Sequence, residues 1–271
     1  MAIKLKSIAA IGALIGALAV AGCGQEEKDP NHIKVGIIVG AEQQVAEVAQ
    51  KVAKDKYGLD VELVTFNDYV LPNEALSKGD IDLNAFQHKP YLDQQIKDRG
   101  YKLVSVGNTF VYPIAGYSKK IKSLDELQDG SQIAVPNDPT NLGRTLLLLQ
   151  KVGLIKLKEN VGLLPTVLDV TENPKNLKLV ELEAPQLPRS LDDAQIALAV
   201  INTTYASQIN LTPTKDGLFI EDKESPYVNL LVAREDNKDA ENVKKFVQAY
   251  QSDEVNEAAN KIFNGGAVKG W

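Results

Sequence analysis

Arg144 is the residue whose type and position most clearly suggest ligand chemistry. The turn segment Pro136-Asn137-Asp138-Pro139-Thr140-Asn141 follows a strand-like run and leads into a helical pattern whose first turn carries this arginine. Free backbone N–H groups at a helix start favour an anion, and a guanidinium can add a two-pronged contact to a carboxylate. A surface ion pair is the alternative for Arg144, and the position after a strand favours the carboxylate site.

Two asparagines interrupt apolar runs that are typical of strands. Asn202 follows Ala197-Leu198-Ala199-Val200-Ile201, and Asn229 lies within Tyr227-Val228-Asn229-Leu230-Leu231-Val232. A buried amide without a partner costs about 1–3 kcal/mol, so each side chain must meet backbone, water or ligand atoms. An internal hydrogen bond to a loop explains either asparagine alone, whereas both together with Arg144 suit a zwitterionic ligand.

Two aromatic clusters could line an apolar slot beside these polar groups. Tyr69 ends the segment Phe66-Asn67-Asp68-Tyr69, and Phe86, His88 and Tyr91 lie within residues 84–91. An extended backbone would place Phe86 and His88 on one side. Sulfur contacts aromatic edges favourably, so a thioether side chain would fit, although composition does not distinguish methionine from leucine or phenylalanine. Ordinary aromatic core packing is the alternative for these positions, and a hydrogen-bonded structural role is the alternative for His88.

Composition excludes several other classes of function. The single cysteine and the two histidines argue against an intramolecular disulfide, a thiolate zinc cluster and most histidine-dependent chemistry, so no metal or cofactor is expected. The formal net charge of −6 argues against nucleic-acid binding, which depends on Lys and Arg neutralising phosphates. No paired general acid and base is visible, so the sequence does not indicate an enzyme.

Hydrophobic periodicity predicts an α/β protein with two lobes. The chain opens with a strand at Ile33–Val39, a helix that ends near Tyr57 and a strand at Val61–Phe66, the order typical of a parallel sheet. The other predicted elements are strands at 102–106, 114–117, 132–135, 177–181, 197–200 and 227–233, and helices at 142–152, 239–250 and 253–263. Crossings near 108–113 and 225–227 would assign residues 32–110 and 227–271 to lobe 1, and residues 111–226 to lobe 2.

The N-terminus has the pattern of a bacterial lipoprotein signal peptide, residues 1–22. Lys4 and Lys6 precede an uncharged run of 15 residues from Ile8 to Gly22, which is shorter than the roughly 20 residues that span a bilayer. Small residues then stand directly before Cys23, as in a lipobox, so Cys23 is the predicted lipidation site. Residues 23–31 would form a flexible tether, and the mature chain, with 28 basic and 36 acidic residues, has a net charge of −8.

The chain resembles the NlpA lipoprotein family over essentially its whole length, and four segments carry the resemblance. They are Gly40-Ala41-Glu42-Gln43-Gln44, Asn84-Ala85-Phe86-Gln87-His88, the turn segment 136–141 and the ending Gly265-Gly266-Ala267-Val268-Lys269-Gly270-Trp271. The resemblance implies a type II periplasmic-binding-protein fold that captures methionine, L and possibly D, for an ABC importer with a permease and an ATPase. It also implies residue roles: Arg144 for the carboxylate, Asn202 and Asn229 for the head group, and Tyr69, Phe86, His88 and Tyr91 around the thioether chain.

The resemblance further implies a monomer on the cell membrane, lipid-anchored and facing the periplasm. A periplasmic enzyme acting on an amino-acid-like substrate is the alternative, because fold does not fix function. A structural or adhesive lipoprotein without saturable ligand binding is the third class. The sequence does not order L-methionine, D-methionine and methionine-containing dipeptides, and it identifies no carboxylate that must face the ligand's ammonium.

Overall fold

A computed structural model describes residues 29–271 of the protein. The strands are β1 His32–Ile38, β2 Asp60–Phe66, β3 Leu83–His88, β4 Leu103–Val111, β5 Ala115–Tyr117, β6 Gln132–Pro136, β7 Lys156–Leu157, β8 Val170–Glu172, β9 Lys178–Leu182, β10 Ile196–Ile201, β11 Phe219–Ile220, β12 Val228–Arg234 and β13 Val268–Lys269. The α-helices are α1 Ala41–Tyr57, α2 Leu71–Lys78, α3 Lys89–Arg99, α4 Pro139–Lys151, α5 Leu187–Ser190, α6 Thr203–Ala206, α7 Pro213–Asp216, α8 Glu241–Tyr250 and α9 Asp253–Ile262. The predicted signal peptide and Cys23 lie outside the described residues.

A six-stranded mixed sheet forms the centre of the first lobe, in the order β13-β4-β12-β3-β1-β2. Strands β1, β2 and β3 are parallel, whereas β12 runs antiparallel to both β3 and β4. Helices α1, α8 and α9 pack together over this sheet. The chain enters α1 through Gly40, whose φ of 118° belongs to the conformations that favour glycine, so the strand can turn sharply into the helix.

A five-stranded sheet forms the centre of the second lobe, in the order β11-β5-β10-β6-β9. Strand β10 is parallel to β6 and antiparallel to β5. The strands are apolar because the sheet is covered on both faces, by α4 on one and by α5 and α6 on the other. This arrangement brings the carboxyl ends of β6 and β10 to the same edge, where α4 and α6 begin.

The chain crosses between the two sheets twice. The first crossing is the short segment 112–114 between β4 and β5, and the second is the loop 221–227 between β11 and β12. The two-lobed α/β fold predicted from the sequence is confirmed.

Two predicted boundaries differ from the structure by three residues or more. Strand β4 continues to Val111, beyond the predicted end at Val106, because Gly107 and Asn108 interrupt its apolar pattern without ending its pairing with β12. Helix α4 begins at Pro139, three residues before the predicted start, because the Asp138 side chain caps it by accepting a hydrogen bond from the Asn141 amide at 2.9 Å. Arg144 therefore lies in the second turn of the helix.

Candidate functional site

A cavity between the two lobes brings together the polar and aromatic residues singled out in the sequence. The cavity contains about 350 Å³ of space that no atom fills, part of which is open to solvent. All seven predicted ligand-binding residues line it: Tyr69, Phe86, His88, Tyr91, Arg144, Asn202 and Asn229. Gln87, Tyr112, Asn141, Thr203 and Thr204 complete the lining. Five of the seven come from the first lobe, Asn229 among them on the returning strand β12, and two come from the second. An occupant that contacts all seven would therefore touch both lobes.

Arg144 is buried and already paired within the protein. Its Nε donates to Glu221 Oε1 at 2.9 Å, and its Nη2 donates to the other carboxylate oxygen of Glu221 and to the Tyr112 carbonyl. The guanidinium carbon lies 4.5 Å from the centre of the Tyr227 ring. The two-pronged contact that the sequence predicted for a ligand is therefore made to Glu221.

One guanidinium nitrogen remains for a ligand. Within residues 29–271, Nη1 of Arg144 donates to no protein acceptor, while Nε and Nη2 are both occupied. A bound carboxylate would add to an existing ion pair, and the ion pair holds the planar guanidinium in a fixed orientation. Arg144 thus contributes an oriented donor with much of its charge already balanced.

Asn202 presents a buried oxygen that lacks a protein partner. Its Nδ2 donates to Asn141 Oδ1 at 2.9 Å, and Asn141 Nδ2 in turn donates to Asp138 Oδ2 at 2.9 Å. These bonds fix the orientation of the Asn202 amide, and its Oδ1 makes no hydrogen bond in the described part of the chain. A buried acceptor of this kind is stabilised by a donor on the ligand.

His88 is neutral and orients this amide chain. Its Nδ1 accepts the Tyr91 amide hydrogen at 3.1 Å and so caps α3, and its Nε2 lies 3.2 Å from Asn141 Oδ1. These two partners assign the ring proton to Nε2. Burial, and to a smaller degree the charge of Arg144, lowers the pKa of His88 to about 3. His88 therefore positions Asn141 and, through it, Asn202.

Asn229 is oriented by acceptors on two sides of its amino group. Its Nδ2 donates to the Phe86 carbonyl at 3.1 Å and approaches Glu42 Oε2 at 3.4 Å. Because both neighbours are acceptors, the amide nitrogen must face them, which leaves Oδ1 as the atom available to a ligand. Asn202 and Asn229 thus both offer amide oxygens.

The predicted aromatic residues form one connected cluster at the cavity. The Tyr69 ring lies 5.8 Å from Phe86, 6.1 Å from Tyr91 and 5.0 Å from Tyr205, measured between ring centres. Phe86 and Tyr91 meet edge to face at 6.1 Å. These separations and tilts are those of favourable aromatic pairs, so the cluster forms a firm apolar wall.

Side chains bond across the lobes around the cavity, so the structure is closed. The first lobe's His88 bonds Asn141 of the second lobe, and Thr204 Oγ1 of the second lobe donates to Glu42 of the first. Two further bonds from the second lobe reach backbone oxygens of the first: Gln208 Nε2 donates to Val39 O at 2.9 Å, and Tyr205 Oη donates to Asn67 O at 3.3 Å.

Sequence analysis missed Glu42, Asn141, Thr204 and Glu221 as individual site residues. Glu42 and Asn141 lie in segments that carried the family resemblance, and Thr204 directly follows two cavity residues. Glu221 carried no signal, because an acid beside Asp222 in a polar segment is typical of a solvated loop. No group of three or more metal-ligating side chains occurs within residues 29–271.

Similarity to known proteins agrees with this fold and cavity. The family model described as NlpA lipoprotein matches residues 33–271. The chain is 90% identical, over the full length of both chains, to the D-methionine-binding lipoprotein MetQ of Escherichia coli K12. Among solved structures it resembles the methionine-binding protein MetQ, with 92% identity and a TM-score of 0.89 over 90% of this chain and 99% of that one. It also resembles a nutrient-binding protein of Burkholderia cenocepacia bound to methionine, with 55% identity and a TM-score of 0.85 over 88% of this chain and all of that one. The chain belongs to the NlpA lipoprotein family.

Proposed function

We propose that this protein is the methionine-capturing component of an ABC importer and that it delivers its ligand to the importer's permease. The observation that carries the proposal is the composition of the cavity, in which an oriented guanidinium N–H and two amide oxygens share a cavity with a cluster of aromatic rings. A zwitterionic head group and an apolar thioether chain match these two kinds of lining. The relatives whose names state a ligand bind D-methionine or methionine.

The cavity supports a specific role for each of the seven predicted residues. Nη1 of Arg144 would donate to the ligand carboxylate, and the oxygens of Asn202 and Asn229 would accept from its ammonium. The aromatic residues Tyr69, Phe86 and Tyr91 would surround the thioether chain. His88 would contact the chain with its ring and keep the amides oriented through Asn141.

Closure would carry the signal to the permease. Ligand stabilises the closed form by its differential affinity for that form, and cavity residues from both lobes supply that difference. We assign residues 32–110 and 227–271 to lobe 1 and residues 111–226 to lobe 2, an assignment that the sheet membership supports to within one residue at Val111.

The protein would be held at the cell membrane by lipid on Cys23 and would face the periplasm as a monomer. Within the described residues no helix has the length and apolar character needed to cross a membrane. The acidic tether segment 23–31 would separate the lipid from the folded lobes. In vivo labelling with a fatty-acid analogue tests the anchor, since Cys23→Ala should abolish labelling and release the protein from membranes.

Titration calorimetry with methionine tests the proposed function. Wild-type protein should bind methionine saturably, and chromatography after long incubation should recover it unaltered, as expected for a binder rather than an enzyme. Absence of saturable binding, or conversion of the ligand, would contradict the proposal.

The role of Arg144 needs a matched pair of variants, because Arg144→Ala alone also strands the Glu221 carboxylate. Breaking a buried ion pair from one side costs about 3–5 kcal/mol of stability. The double variant Arg144→Ala, Glu221→Ala removes both charges and should recover much of that stability, yet it should still fail to bind methionine. Recovery of methionine binding in the double variant would exclude Arg144 from ligand recognition.

A further inference from the structure

Glu42 is a buried carboxylate at the boundary between the lobes. It lies in the first turn of α1, and only 3% of its surface is exposed. One carboxylate oxygen accepts a hydrogen bond from Thr204 Oγ1 of the opposite lobe, and the other lies 3.4 Å from Asn229 Nδ2. Both partners line the cavity, whereas Glu42 stands one layer behind its wall.

No cation in the described part of the protein balances this acid. Within residues 29–271, no lysine, arginine or histidine side chain pairs with Glu42, and its hydrogen-bonding partners are neutral. The titratable groups that face it are Tyr69, Tyr112, Tyr205 and Tyr250, whose pKa values are raised mainly by burial and to a smaller degree by the Glu42 carboxylate. The nearby guanidinium of Arg144 is already matched by Glu221.

Beside a ligand cavity, a cation on the ligand would stabilise this buried acid further than the neutral hydrogen-bond donors and the positive end of the α1 helix dipole do. Buried charges in proteins are paired, because an isolated one is costly. The carboxylate of a zwitterionic ligand belongs near Arg144, so its ammonium belongs near the amide oxygens of Asn202 and Asn229, and the Asn229 amide contacts Glu42 directly.

We propose that Glu42 is the positioning residue that balances the ligand's ammonium, acting through Asn229. This inference rests on the proposed function. Glu42 holds the Asn229 amide nitrogen on its own side, which turns the amide oxygen toward the ligand. The charge of Glu42 stabilises the ammonium electrostatically across the Asn229 side chain. Its bond to Thr204 forms only when the lobes meet, so the same carboxylate connects ammonium recognition with closure.

The test compares two ligands that differ only in the ammonium. Methionine and 4-(methylthio)butanoate share the carboxylate and the thioether chain, and the second lacks the amino group. Their dissociation constants are measured by calorimetry at pH 8 for wild type and Glu42→Gln. The ratio is the dissociation constant of 4-(methylthio)butanoate divided by that of methionine, and it should fall by about tenfold or more in the variant. A general defect of folding or closure would weaken the binding of both ligands alike.

Two further variants separate charge from structure. Thr204→Val removes the cross-lobe donor but keeps the acid, so it should weaken both ligands by a similar factor and keep the ratio. Glu42→Asp keeps the charge, so its ratio of the two dissociation constants should lie closer to the wild-type ratio than that of Glu42→Gln. If the glutamine variant did not fold, as judged by circular dichroism, Glu42→Met would be measured in the same way.

The outcomes distinguish this inference from the proposed function. A wild type that binds no methionine would overturn both. If the wild type binds methionine but the ratio of the two dissociation constants is the same in wild type and in Glu42→Gln, or in Glu42→Met where that variant replaces it, only the role of Glu42 is overturned. A ratio that falls as far in Thr204→Val as in Glu42→Gln would assign the effect to the threonine hydroxyl and overturn the charge argument.

Discussion

In the closed arrangement that the structure shows, replacing Glu42 by glutamine should stabilise the ligand-free protein at alkaline pH. Burial raises the pKa of the Glu42 carboxyl from its usual 4.5 to about 7, against the smaller opposing effects of the hydrogen bonds from Thr204 and Asn229. The folded protein therefore prefers the protonated acid, and ionising it costs stability. Glutamine is neutral at every pH and avoids this cost.

The size of the effect follows from the difference between the two pKa values. The folded-state pKa of Glu42 lies above the unfolded value. Its stabilising contribution to the free energy of unfolding is therefore fully present below pH 4.5 and is lost as the pH rises through about 7. The two pKa values differ by about 2.5, and a pKa difference of one corresponds to about 1.36 kcal/mol, so the ionisation of Glu42 costs the folded state about 3 kcal/mol. The advantage of the glutamine variant in free energy of unfolding should therefore be about 3 kcal/mol larger at pH 8.5 than at pH 4.5.

Urea unfolding of the ligand-free wild type and variant at both pH values measures this difference. Any co-purified ligand must first be removed by unfolding and refolding, since bound ligand would stabilise the folded state. The matched control is Glu159→Gln, because Glu159 is exposed on a loop and its replacement should leave the pH dependence unchanged. An equal difference between wild type and Glu42→Gln at both pH values would contradict a raised pKa of Glu42 in the ligand-free protein.

Three other expectations concern buried polar groups. Asn229→Ala should weaken methionine binding by about 1–3 kcal/mol in calorimetry, and an unchanged dissociation constant would remove Asn229 from the site. His88 should remain neutral with its proton on Nε2 between pH 8 and pH 5, and ¹⁵N NMR showing an imidazolium at pH 5 would contradict the assigned network. Tyr117→Phe removes a buried hydroxyl that has no hydrogen-bond partner within residues 29–271 and should raise the free energy of unfolding by about 1 kcal/mol in urea, whereas a loss would reveal a missed hydrogen bond.

Strand ends and helix starts made much of the site accessible to sequence analysis. The apolar runs before Asn202 and around Asn229 predicted buried strands, and a polar amide in such a position must find a partner. The turn residues before Arg144 predicted a helix start near a strand end, which is where ligands bind in α/β sheets. Local patterns of this kind require no knowledge of the tertiary structure.

The residues that were missed depend on contacts between distant parts of the chain. Glu42 and Thr204 are separated by 162 positions, and Arg144 and Glu221 by 77. Whether an acid is solvated or buried is decided by the neighbours that packing brings to it, and the local sequence around Glu42 or Glu221 does not contain them. The same reason explains why Arg144 was expected to offer both prongs of its guanidinium to a ligand.

The buried Glu42 and the half-buried Glu221 together explain how such a cavity could select a zwitterion over a simple anion. An unpaired Arg144 would attract any small carboxylate, but Glu221 offsets its charge and leaves one oriented donor. Glu42 adds a second negative charge on the ammonium side, so a ligand without a cation would meet net repulsion as the lobes close. The stability lost by burying Glu42 and the discrimination gained by the site then have the same physical origin, which is an acid whose missing partner is supplied by the ligand.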